Sequence, residues 1–84
     1  MNLMFSDQAW DDYLYWQSAD KKMLKRINSL IKDIQRDSFN GLGKPEPLKY
    51  ALSGFWSRRI DEEHRLVYAV EDGHILIASC RYHY

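Results

Sequence analysis

The chain has 84 residues, so one domain accounts for all of it. A domain of this size buries only about 60% of the surface its unfolded chain exposes, and its stability margin is thin. Three Trp, six Tyr and three Phe supply the large buried areas that so short a chain needs, and the one cysteine, Cys80, excludes an internal disulfide. Twelve basic and twelve acidic side chains cancel, which weighs against a nucleic-acid partner on net charge alone. The distribution is less even: Asp7, Asp11 and Asp12 crowd the first helical stretch, whereas Arg58, Arg59, Arg65 and Arg81 fall in the C-terminal half. Local fields matter more than the sum at a binding surface.

Residues 2–5 are a short apolar stretch, read as an edge or first strand. Because Ser6 and Asp7 follow at once, no apolar core of a signal peptide is legible, and the longest apolar run, residues 75–78, is far short of a membrane span. A cytoplasmic protein with no membrane partner is expected. Ser6 is a good N-cap, Asp7 suits the first turn, and Trp10, Tyr13, Leu14 and Gln17 recur at helical spacing, predicting a helix over about 7–17. Asp20 caps a second helix in which Met23, Ile27, Leu30, Ile31 and Ile34 form one apolar stripe, with lysines and arginines on the outer face.

From Ser38 to Gly54 the pattern breaks at Gly41, Gly43, Pro45, Pro47 and Gly54, which predicts a long loop carrying Lys44, Glu46 and Lys49. Long loops in small domains are often functional. Strands are predicted over 55–60, 64–70 and 75–82, with a short loop at 61–63 and a two-residue type I′ turn at Asp72-Gly73. The order β-α-α-β-β-β defines an α+β fold, two N-terminal helices on one face of an antiparallel sheet.

The turn lengths assign the faces. With Asp72-Gly73 as the loop, Val70 pairs with Ile75, Tyr68 with Ile77 and Leu66 with Ser79, giving an apolar face for the helices. The open face then holds Arg65, Val67, Ala69, Leu76, Ala78 and Cys80. A three-residue loop at 61–63 sets Arg59 across from Arg65, an opposition of like charges that makes sense if an anion sits between them. His83 shares parity with Ile77, so a continuous strand aims it at the helices; a catalytic role requires either that the chain leave the strand near Tyr82 or that a bulge shift it.

RNA cleavage needs little machinery, because the substrate supplies its own 2′-hydroxyl nucleophile. A carboxylate, cations and a histidine suffice, and Glu46, Lys49, Arg59, Arg65 and His83 provide them. His64, His74, His83 and Cys80 do not form a zinc spacing, and neither a P-loop nor a dinucleotide-binding motif is present, so no metal and no cofactor is expected.

Five stretches carry a resemblance: Trp10–Trp16 (WDDYLYW), Gly43–Lys49 (GKPEPLK), Leu52–Arg59 (LSGFWSRR), Glu63–Ala69 (EHRLVYA) and Cys80–Tyr84 (CRYHY). End to end, the chain resembles the YoeB toxins of the RelE/ParE superfamily of type II toxin–antitoxin systems. The resemblance implies a RelE-like, microbial-RNase-like fold and a ribosome-dependent mRNA endonuclease acting in the A site of the 30S subunit. It implies Glu46 as general base, His83 as general acid, Lys49 and Arg65 as transition-state stabilisers, and Tyr84 as a residue orienting substrate. Arg59 is implied as a phosphate contact, with Lys44 and Arg81 as further substrate-binding cations. It also implies a YefM-like antitoxin whose disordered tail folds over the site, promoter DNA bound only through that complex, and a plausible homodimer. Two other readings stay open: a non-enzymatic toxin of the ParE kind acting on DNA gyrase, and a pure RNA-binding module using aromatics as stacking platforms.

Overall fold

Ser6 starts the first helix as its side chain predicts: Oγ accepts from Ala9 N at 3.1 Å. In a computed structural model, which describes residues 1–82 of the chain, helix α1 spans Asp7–Ala19 and helix α2 spans Lys21–Arg36. Asp20 serves both helices. Its main-chain N–H donates to Trp16 O and closes α1, while its carboxylate accepts from Lys22 N and Met23 N and opens α2. The α2 stripe is buried as expected, at Ile27, Leu30, Ile31 and Ile34.

Helix α1 buries a different face from the one its aromatic spacing suggests. Ala9, Asp12 and Trp16 point inward, whereas Trp10 and Leu14 are 49% and 40% exposed. The reason lies in what α1 packs on: Asp12 and Trp16 serve as hydrogen-bonding partners for the main chain at Cys80, described below.

The strands are β1 (Asn2–Phe5), β2 (Glu46–Pro47), β3 (Trp56–Arg59), β4 (Arg65–Glu71) and β5 (His74–Ser79), in the spatial order β1-β5-β4-β3-β2. The expected α+β arrangement holds, with two refinements. One is a parallel pair, β1 on β5, in a sheet expected to be antiparallel. The other is β2, two residues of edge strand inside the predicted loop, where Pro47 is tolerated because an edge needs no second ladder bond.

The Asp72-Gly73 turn sets Glu71 against His74, Val70 against Ile75 and Tyr68 against Ile77, as the loop length requires. One pair later the register departs from expectation. Ser79 faces Val67 rather than Leu66, which leaves Ala78 as a bulge residue without a partner on β4. Ser6 Oγ donates to Ala78 O at 2.7 Å and satisfies the carbonyl there. The bulge reverses the alternation from Ser79 onward, so Cys80, expected on the open face, is fully buried in the core with Leu66, Tyr68, Ile75 and Ile77.

Candidate active site on the open sheet face

Strand β3 carries adjacent arginines, and alternation must send them to opposite faces. Arg58 goes inward and is fully buried. Its five N–H donors are all used: Nε on Tyr68 Oη (3.2 Å), Nη1 on Asp33 Oδ2 (2.6 Å) and Leu42 O (3.1 Å), Nη2 on Asp37 O (2.7 Å) and Asn40 O (3.2 Å). It therefore ties the segment after α2 to β3. Asp33 completes the tie by accepting Leu42 N at 2.9 Å and Arg36 Nε at 3.0 Å. The Leu42 N–H, then Arg36 and Arg58, hold its carboxyl at about 2, below its ordinary 3.8.

That segment delivers Glu46. Gly43 (φ +78) accepts Arg59 N at its carbonyl, 2.6 Å away, and Leu48 N donates to Phe55 O at 2.9 Å, so the chain around Glu46 lies along β3. Only glycine fits at 43, since a Cβ there would meet Arg59 O at 2.9 Å and Leu30 Cδ2 at 3.0 Å. Glu46 pairs with Ser57, Ser57 with Val67, and two residues further on Arg59 pairs with Arg65. Glu46, Arg59 and Arg65 thus share the face away from the helices. With strands about 4.8 Å apart and about 6.7 Å per two residues, the Cα of Glu46 lies roughly 8 Å from that of Arg59. Side chains of this length span a nucleotide from such positions.

The arginine pair is placed by its surroundings. Arg26 of α2 donates from Nη2 to Arg59 O (3.2 Å) and from Nε to Ile60 O (3.3 Å), fixing the end of β3. Arg65 Nη1 donates to Asp61 O (2.8 Å) and His64 O (3.1 Å), carbonyls that orient the guanidinium without neutralising it. Arg59 is exposed and Arg65 half-buried, so both are open to an anion. Lys44 and Lys49 are exposed on either side of β2, Lys44 with φ +52, and Lys49 borders a shallow cleft with Glu46, Pro47 and Leu48.

The expectation that the chain leaves β5 near Tyr82 or is shifted by a bulge finds both devices, the departure coming earlier. After the bulge, β5 ends at Ser79. Cys80 N donates to Asp12 Oδ2 (3.0 Å), and Trp16 Nε1 donates to Cys80 O (2.8 Å). Arg81, expected to bind substrate, lies between two rings, its guanidinium carbon 3.4 Å from the Tyr15 centroid and 4.5 Å from that of Tyr82. Burial first, then the charge of Asp12, pushes the Cys80 thiol up to about 12, which disfavours the reactive thiolate. His83 and Tyr84 lie outside the described residues.

Sequence reasoning missed Arg58, Asp33, Asp12 and His64. For Arg58 a signal existed, because two adjacent arginines on a strand cannot both face solvent when one side of the sheet is covered.

A two-helix, five-strand α+β domain carries a carboxylate and two arginines on its open sheet face, and comparison with known proteins places it among small bacterial toxins. Residues 5–84 match the model of the YoeB-like toxin of bacterial type II toxin–antitoxin systems. Toxin YoeB of Escherichia coli (strain K12) is 68% identical over 84 residues, 100% of both chains. Among solved structures, a YoeB/ParE toxin from Agrobacterium tumefaciens superposes with a TM-score of 0.98 at 48% identity, covering 100% of both chains. The Staphylococcus aureus YoeB has been solved as a dimer (TM-score 0.93, 59% identity) and in a YoeB–YefM complex (TM-score 0.92, 58% identity), each covering 100% of this chain and 98% of the other. The chain belongs to the YoeB family of type II toxin–antitoxin toxins. Among the described residues, no helix is long and apolar enough to cross a membrane.

Proposed function

We propose that this toxin is an endoribonuclease that cuts mRNA in the ribosomal A site by general acid–base catalysis, stopping translation. The observation that supports this best is the shared sheet face of Glu46, Arg59 and Arg65. The Glu46 carboxylate takes the proton of the RNA 2′-hydroxyl, and the 2′-oxygen attacks the adjacent phosphorus. Arg65 and Lys49 stabilise the charge that builds on the phosphorane oxygens, with Arg59, Lys44 and Arg81 as contacts to the RNA. The bond from phosphorus to the 5′-oxygen breaks, and His83 gives that oxygen a proton while Tyr84 orients the substrate. The products are a 5′-hydroxyl fragment and a 2′,3′-cyclic phosphate that opens to a 3′-phosphate. No metal or cofactor takes part.

The remaining proposals concern partners and place. A YefM-like antitoxin binds this toxin, by likeness to the S. aureus complex; its tail folds over the site, and the pair binds promoter DNA through the antitoxin. A homodimer fits the likeness to the S. aureus dimer. The toxin works in the cytoplasm, where the ribosomes are.

The test is single-turnover cleavage of mRNA on programmed ribosomes. Glu46→Ala and His83→Ala are each expected to slow it by roughly 10²–10⁴-fold, the usual worth of a general acid or base. Wild-type rates in both variants remove the assignment. Intact mRNA on stalled ribosomes supports an RNA-binding module instead, and DNA damage with translation intact supports a gyrase-directed toxin.

A further inference from the structure

His64 is only 7% exposed, its ring packed on the helix side against Trp16, immediately before Arg65 of the open face. Its Nδ1 accepts the main-chain N–H of Tyr82 at 2.7 Å, and the next residue along, Arg65, donates its own N–H to Tyr82 O at 3.0 Å. Two consecutive residues at the start of β4 therefore hold both main-chain polar groups of Tyr82. That grip has something to oppose: Tyr82 has φ +65, a left-handed conformation that a non-glycine residue keeps only where the surroundings enforce it.

His64 is itself fixed on every side. Its N–H donates to Asp61 Oδ1 (2.6 Å), its carbonyl accepts from Ile60 N (3.0 Å), and its ring meets that of Trp16 edge-on at 4.8 Å. An Nδ1 that accepts carries no proton, so the ring is the Nε2–H tautomer, with Nε2 3.5 Å from Glu63 Oε1. Nothing in the packing requires a histidine here rather than an apolar residue; the Nδ1 acceptor does.

We infer that His64 is a positioning residue, which by accepting the Tyr82 N–H sets where the last two residues of the chain begin. The inference rests on the nuclease reading above, since it is His83 and Tyr84 that follow. The Tyr82 carbonyl gripped by Arg65 N–H belongs to the planar peptide unit leading into residue 83. His64 and the first residue of β4 thus supply the anchor for the proposed acid and a cation for the phosphate.

The test compares His64→Leu with His64→Asn by single-turnover cleavage on ribosomes, measuring the saturated rate, the affinity for ribosomes and the melting temperature. Leu keeps bulk and loses the acceptor. Asn loses the ring but sets Oδ1 where Nδ1 was. His64→Leu is expected to lower the saturated rate by roughly 10²-fold, the effect of an ångström of misplacement, with ribosome affinity unchanged. His64→Asn is expected to regain most of that rate although it melts no higher than His64→Leu. Activity that follows melting temperature, or a His64→Leu rate equal to wild type, overturns the inference. Should His64→Leu fail to fold, the ¹⁵N shifts of the wild-type imidazole decide, because an Nδ1–H tautomer cannot accept from Tyr82. A wild-type protein that leaves mRNA whole, or Glu46→Ala cleaving normally, marks failure of the nuclease reading itself.

Discussion

Arg59 and Arg65 stand directly opposite one another across the β3–β4 ladder, on the face the helices leave open. Like charges so placed destabilise a sheet by roughly 0.2–1 kcal/mol. A fold that keeps them there gains only when an anion lies between. Arg59→Gln is therefore expected to raise stability in urea melts at low salt by up to about 1 kcal/mol while slowing cleavage. Sulfate or phosphate should raise the wild-type melting temperature more than that of Arg59→Gln. Loss of stability in Arg59→Gln at low salt, or equal anion effects on both proteins, contradicts the argument.

The partner arginine on the other face behaves oppositely. Arg58 is fully buried and its ion pair with Asp33 is anchored by main-chain groups. Arg58→Met removes the buried partner of Asp33 and the donors to the carbonyls of Asp37, Asn40 and Leu42, and is expected to destabilise the protein by about 3–5 kcal/mol in urea melts. The Asp33 carboxylate, held by the Leu42 N–H and then by Arg36 and Arg58, sets an acid limit. Asp33 binds its proton at about 2 when folded against 3.8 ordinarily, so between those values the unfolded chain binds more protons. The contribution is whole above pH 3.8 and is lost as pH falls toward 2. Asp33→Asn should flatten the dependence of stability on pH in that window; an unchanged slope means the shift does not contribute.

How far the sequence foretold this arrangement varies with the range of the cause. Both Asp72-Gly73 and the 61–63 loop fix their strand pairs locally, and Val70–Ile75, Tyr68–Ile77 and Arg59–Arg65 follow from loop length. The bulge at Ala78 does not, because its carbonyl is satisfied by Ser6, seventy-two positions away, and residue alternation carries no trace of that bond. Glu46 stood out by its neighbours Lys44 and Lys49, but its place beside Ser57 depends on the buried Arg58, which orders residues 37–42 from the far side of β3. Arg81, read from sequence as a cation for RNA, also stacks on Tyr15 and Tyr82, a contact that follows from the chain's exit from β5 and that no local pattern shows.

Two glycines with nearly equal φ separate conformational strain from crowding. Gly43 has φ +78 with main-chain and side-chain atoms about a Cβ position, whereas Gly73 has φ +82 and open space. Gly73→Ala is expected to lose about 1–2 kcal/mol, the left-handed penalty alone. Gly43→Ala should lose more, since Arg59 O is main chain and cannot swing aside, and it should slow cleavage by moving Glu46. Chemical denaturation of the two variants, with ribosome cleavage assays beside it, measures both effects. Equal losses at the two positions would show that the Gly43 carbonyl bond to Arg59 N tolerates displacement.

Cys80 offers a direct readout of how firmly the segment after β5 is held. Its thiol, pushed up to about 12 by burial and then by Asp12, stays protonated at pH 8 and is shielded from reagent. Iodoacetamide is expected to leave the folded protein unmodified by mass and to alkylate it fully in urea. Alkylation under native conditions must then wait for the segment to open, and opening breaks the bonds from Cys80 N to Asp12 and from Trp16 Nε1 to Cys80 O. Trp16→Phe removes the second bond while keeping an aromatic ring, so it should speed native alkylation well beyond what its change in global stability accounts for. A rate that scales only with global stability would mean that Cys80 is reached by whole-molecule unfolding, and that the grip of α1 on the tail is no weaker than the rest of the fold.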